Sequence, residues 1–126
     1  FSHKFIARFT QIDYARAMAF VALDKDKSEL YGVAHLSADP DYQKGEYAVI
    51  VRSDLKGTGI GWILMRQLIS YAEAEGLRLL NGDVLKHNTR MLEMCSKLGF
   101  EIALDPKDHS ICKVQLMLPT RLQDMP

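Results

Sequence analysis

Residues 46–72 read EYAVIVRSDLKGTGIGWILMRQLISYA, and this stretch decides the fold. Glu46 to Val51 carries the β-branched and aromatic enrichment of a strand. From Ile60 the period changes, because Ile60, Ile63, Leu64, Leu68, Tyr71 and Ala72 share one face of a helix that ends near Gly76. Between strand and helix lies Lys56-Gly57-Thr58-Gly59-Ile60-Gly61. Glycines at such a handover leave backbone N–H groups exposed beside the positive end of the helix dipole, a ready site for a pyrophosphate. A tight turn that needs glycine only for its own geometry explains the run as well.

Upstream, Ala17 to Leu23 is apolar and closes on the polar cluster Asp24-Lys25-Asp26-Lys27, and Leu30 to Ser37 reads as its hairpin partner. Asp39-Pro40-Asp41 marks the turn into the strand at Glu46, giving a three-stranded antiparallel meander. The first dozen residues, with Phe5, Ile6 and Phe9 at three- and four-residue intervals, predict a short amphipathic helix. Downstream, Leu77 to Leu85 predicts a strand, His87 to Leu98 a helix stopped by Gly99, and Phe100 to Leu104 and Ile111 to Leu118 two further strands. The layout is mixed α/β, of the α+β kind, in a single domain over residues 1–126.

Composition narrows the function. Sixteen basic and sixteen acidic side chains cancel, which removes the electrostatic footprint of a nucleic-acid-binding surface. The longest apolar runs fall far short of the roughly 20 residues that cross a bilayer. Cys95 and Cys112 form no CxxC pair and stand near no histidine at metal-ligand spacing, so no metal site is expected and a reduced, cytoplasmic setting is the simplest reading. His3, His35, His87 and His109 are scattered and suggest no catalytic triad.

The glycines fit neither common nucleotide loop. Positions 57, 59 and 61 alternate, where a dinucleotide fingerprint needs G-x-G-x-x-G, and no Gly-Lys-Ser or Gly-Lys-Thr follows as in a Walker A loop. The run resembles instead the acyl-CoA loop of the GNAT superfamily, Q/R-x-x-G-x-G/A, with Lys56 where glutamine or arginine is usual. A second signature agrees: Asn88 opens a helix that closes on Lys97-Leu98-Gly99-Phe100. Thr10 to Tyr14 and Val51 to Gly57 look closer still to bacterial protein lysine acetyltransferases, in which the GNAT domain follows an NDP-forming, acyl-CoA-synthetase-like region.

The resemblance implies a GNAT fold, a mixed and mostly antiparallel sheet flanked by helices, here without the family's usual first strand and helix. It implies transfer of an acetyl group from acetyl-CoA to an amine, a protein lysine before a small molecule, within a longer multidomain chain. A domain that senses acyl-CoA without transferring the group is the alternative from another class. The loop residues Lys56, Gly57, Thr58, Gly59, Ile60 and Gly61 would hold the pyrophosphate, while backbone groups of Val49, Ile50 and Val51 and the side chain of Asn88 would meet the pantetheine. Asn88 can equally cap its helix. Amine acylation requires removal of a proton from an ammonium, and Glu46, at the start of the strand where several family members carry a catalytic glutamate, is the expected general base. Asp13 and Asp54 are weaker substitutes. Cys95 stands where many members carry a tyrosine acid, and a small buried hydrophobe is its favoured reading.

Overall fold

The computed structural model describes residues 6–11, 17–26 and 29–119, with backbone alone described for 6–11. Its strands are β1 (Ile6–Gln11), β2 (Ala17–Leu23), β3 (Leu30–Ala38), β4 (Lys44–Val51), β5 (Leu79–Leu85), β6 (Glu101–Leu104) and β7 (Ile111–Met117). Helix α1 (Ile60–Ala74) follows β4 after a 3-10 turn at Ser53–Leu55, and α2 (Thr89–Leu98) follows β5. The strands form one sheet in the order β1-β2-β3-β4-β5-β7-β6, antiparallel throughout except between β4 and β5. This is the mixed, mostly antiparallel sheet that the resemblance implies.

The amino-terminal helix is a correction. Residues 6–11 form a strand instead, registered from Ile6↔Leu23 to Gln11↔Met18. A window this short holds too few turns for a stable helix. The edge of β2 offers a ladder that satisfies its backbone groups, and Ile6, Phe9 and Thr10 suit a pleated strand. Asp13 lies outside the described residues.

Alternation sorts the sheet into two faces. On β4, Gly45 and Tyr47 are buried while Lys44, Glu46, Ala48 and Ile50 are exposed. Helix α1 covers the inner face with Ile60, Leu64, Met65, Leu68, Ile69 and Ala72. Its approach depends on Gly32 of β3: a Cβ there would lie 3.1 Å from Leu64 Cδ1 and 3.0 Å from the Ile50 carbonyl oxygen. Helix α2 joins the same core through Cys95 and Leu98, both wholly buried.

Both helices end on a glycine with positive φ. Gly76 (φ 82°) and Gly99 (φ 97°) let the chain reverse, so that Leu77 N–H donates to the Ala72 carbonyl (3.1 Å) and Phe100 N–H to that of Cys95 (2.9 Å). Each reversal feeds an apolar residue, Leu77 or Phe100, into the core before the next strand starts. Among the described residues no helix is long and apolar enough to cross a membrane.

Candidate acyl-CoA cleft

The parallel ladder between β4 and β5 covers only Lys44↔Leu79, Gly45↔Leu80 and Glu46↔Asn81. Beyond Glu46 the strands part. Tyr47 fills the inner side of the fork: a Cβ on Gly82 of β5 would lie 2.9–3.1 Å from its ring atoms, so β5 needs a glycine there. The ring also meets Phe100 edge-on, with centroids 5.8 Å apart, and its hydroxyl shares a 3.3 Å hydrogen bond with Cys95 Sγ. Burial pushes the Tyr47 hydroxyl far above the ordinary tyrosine range, and the neighbouring thiol adds to the effect. Burial likewise pushes the Cys95 thiol up, partly opposed by the bond to Tyr47. Both groups are therefore neutral near pH 7.

The parted strands open into a cleft of about 590 Å³. Val49, Ile50 and Val51 form one wall, and Ile50 is 67% exposed. Lys56, Gly57, Gly59, Gly61 and Trp62 form the floor at the head of α1. Asn88, Arg90, Met91 and Met94, from the start of α2, form the facing wall.

The head of α1 presents uncapped backbone amides, the arrangement that suits an anion. Gly59 is its N-cap at φ 96°, with no side-chain cap and no acidic residue in the first turn. The amides of residues 59–62 therefore have no intrahelical acceptor. Ile63 N–H makes the first helical bond, to the Gly59 carbonyl at 3.1 Å. Thr58 is turned away from this duty, since its N–H and hydroxyl both donate to the Leu55 carbonyl. Before the loop, Arg52 donates to Asp54 (2.7 and 3.1 Å) and Glu29 (3.1 Å) and lies 5.2 Å over the Tyr31 ring, fixing the turn that presents the glycines. The Arg52 bonds also hold the Asp54 carboxyl below its usual range, so Asp54 is engaged in structure rather than facing the cleft.

Most of the residues singled out in the sequence come together here. Val49, Ile50, Val51, Lys56, Gly57, Gly59, Gly61 and Asn88 line the cleft. Glu46, Thr58 and Ile60 do not, Ile60 being 1% exposed and part of the core beneath it. Asn88 caps α2, its Oδ1 accepting from Met91 N–H at 3.2 Å, which leaves its side-chain NH₂ for a ligand. Glu46 stands at the fork itself, on the outer sheet face, opposite Ser37 and Asn81. Its charge reaches Lys113, whose ammonium is bonded to Asp83 at 2.9 Å. Cys95 is 0% exposed and lines no part of the cleft.

Arg90, Met91, Met94 and Trp62 also line the cleft without having been singled out. The three-residue spacing of Met91 and Met94 after Asn88, one helical face, is the signal that was there to read. Arg90 carried none, because only the tertiary fold brings it over the loop.

Comparison with known proteins agrees with this geometry. Residues 1–100 match the Acetyltransferase (GNAT) family. An acetyltransferase of Pseudomonas aeruginosa is 36% identical over 99 residues, covering 77% of this chain, and the chain spans about half (53%) of that relative's length. A cAMP-binding acyltransferase from Mycobacterium smegmatis superposes with a TM-score of 0.74 at 24% identity, over 91% of this chain and 35% of that one. The N-acetyltransferase PseH of Campylobacter jejuni, solved in complex with acetyl coenzyme A, gives 0.67 at 23% identity, over 84% of this chain and 71% of that one. With the split strands, the glycine-headed helix and the Asn88 cap in one cleft, the chain belongs to the GNAT acetyltransferase family.

Proposed function

We propose that this chain is the acetyl-CoA-binding catalytic unit of an N-acetyltransferase whose acceptor is an amine, most simply a protein lysine side chain. The observation that carries the reading is the end of the β4–β5 ladder at Glu46, beside a helix head whose first-turn amides have no acceptor. A pantetheine arm laid along Val49–Val51 would pair with the free edge of β4, and its diphosphate would meet the α1 amides. The thioester end then points to the fork.

At the fork Glu46, as general base, takes a proton from the acceptor ammonium directly or through a water. The free amine attacks the thioester carbonyl, the nitrogen of the tetrahedral adduct gives up its extra proton to solvent, and the C–S bond breaks as the adduct collapses to the amide and coenzyme A thiolate. The thiolate takes its proton from solvent, since Cys95 is buried and bonded to Tyr47. That same burial favours the second reading, an acyl-CoA-sensing domain that binds without transfer. The resemblance of residues 10–14 and 51–57 to bacterial lysine acetyltransferases supports a cytoplasmic module that follows a synthetase-like region in a longer protein.

Glu46→Gln separates the two readings. For an enzyme, kcat for acetylation of a lysine peptide falls by about 10²–10⁴ while affinity for acetyl-CoA stays within twofold. A wild-type protein that binds acetyl-CoA and acetylates neither peptide nor small amine would leave only the sensing role.

A further inference from the structure

The cleft holds two cations without ion-pair partners among the described residues, Lys56 and Arg90, whereas Lys97 is paired with Glu93 at 3.5 Å. Of the two, Arg90 has the more defined place. It is the second residue of α2, and its guanidinium lies flat enough against Gly57 that a Cβ there would sit 3.4 Å from both Cζ and one terminal nitrogen. Gly57 has φ 85° and no side chain, so the planar group stands over the open side of the glycine at the rim of the loop. The guanidinium and the unbonded amides of the α1 head thus face one volume from two sides.

Two positive elements so placed suit an anion with two bridged phosphoryl groups better than a single charge. The helix-head amides hold one group, and a guanidinium presents a planar fork of donors to the other. Lys56, a flexible point charge at the position where the family's loop usually has arginine or glutamine, gives no comparable fork. On the acyl-CoA reading, on which this inference rests, we propose that Arg90 is the residue that grips the diphosphate of the thioester carrier, supplying from α2 the forked donor that the loop itself lacks. Gly57 is kept a glycine by the turn, whose φ is 85°. Arg90 thereby makes binding selective for carriers that contain a diphosphate over bare pantetheine thioesters.

The test compares wild type, Arg90→Gln and Arg90→Lys against three probes: coenzyme A, dephospho-coenzyme A, which keeps the diphosphate but lacks the 3′-phosphate, and pantetheine. Dissociation constants come from calorimetry for the first two and from NMR titration for the third. Arg90 is exposed, so both variants are expected to keep the wild-type melting temperature. Arg90→Gln should weaken coenzyme A and dephospho-coenzyme A equally, by about tenfold to a hundredfold, and leave pantetheine unchanged. Arg90→Lys should fall between, because charge is kept and the fork is lost. A loss seen for coenzyme A but not for its dephospho form would move Arg90 to the 3′-phosphate and overturn the proposal. So would an equal loss for all three probes, which would mean that Arg90 only packs the loop. If wild type binds none of them, the acyl-CoA reading itself falls, and this proposal with it.

Discussion

Tyr47 shows how much one side chain holds at the fork. Its ring lies over Gly82, meets Phe100 edge-on and ends on Cys95, so it cannot yield to an added methyl group. Gly82→Ala is expected to destabilise the fold by about 1–3 kcal/mol, read as a lower urea midpoint with an unchanged slope. Wild-type-like stability would mean that the ring is free to move. The same pair sets a dependence on pH. Tyr47 and Cys95 both have pKa values raised in the folded state, from ordinary values of 10.0 and 9.0. Their contribution is therefore fully present below pH 9 and is lost as pH rises and the unfolded chain ionises first. The melting temperature should fall more steeply above pH 9 for wild type than for Tyr47→Phe. Parallel curves would show that Tyr47 does not titrate with unfolding.

At the scale of elements, the proposed function has Asn88 serve helix and ligand with different atoms. Its Oδ1 caps α2 through Met91 N–H, while its NH₂ group is left over. Asn88→Asp keeps the acceptor and removes the donor, so stability should hold while affinity for coenzyme A falls about tenfold. Asn88→Ala should lose affinity and also about 1 kcal/mol of stability. If Asp binds as well as Asn, the residue is a cap and nothing more. The glycine loop, α1 and α2 were legible in the sequence because their signals are local: positive-φ glycines at 59, 76 and 99, a capping asparagine and helical apolar spacing. The β1 strand was not, since Phe5, Ile6 and Phe9 fit a helical period and only pairing with β2 decides against it. That β4 splays near Val49–Val51 was an expectation from sequence, but the place where the β4–β5 ladder ends was not legible, for no residue between Glu46 and Val51 marks it. Arg90 over Gly57 is a juxtaposition of residues far apart in sequence, which spacing cannot show.

Across the whole molecule the sheet is asymmetric. One face is buried under α1 and α2, and the other exposes Lys44, Glu46, Ala48 and Ile50 beside the cleft. A ligand that spans the α1 head, the β4 edge and the α2 wall ties three elements together, so coenzyme A at about 100 times its Kd should add roughly 2.7 kcal/mol to stability. The central claim is that the α1 head receives the phosphates of an acyl-CoA, and calorimetric titration of acetyl-CoA into wild type, Gly59→Glu and Gly76→Glu tests it most directly. Both glycines have positive φ, 96° and 82°, and a Cβ at either meets nothing within 4 Å, so the two variants carry similar backbone strain. Only Gly59 lines the cleft. Micromolar binding by wild type and Gly76→Glu, abolished in Gly59→Glu, is the predicted result; binding that survives in Gly59→Glu, or is lost equally in both variants, would contradict it.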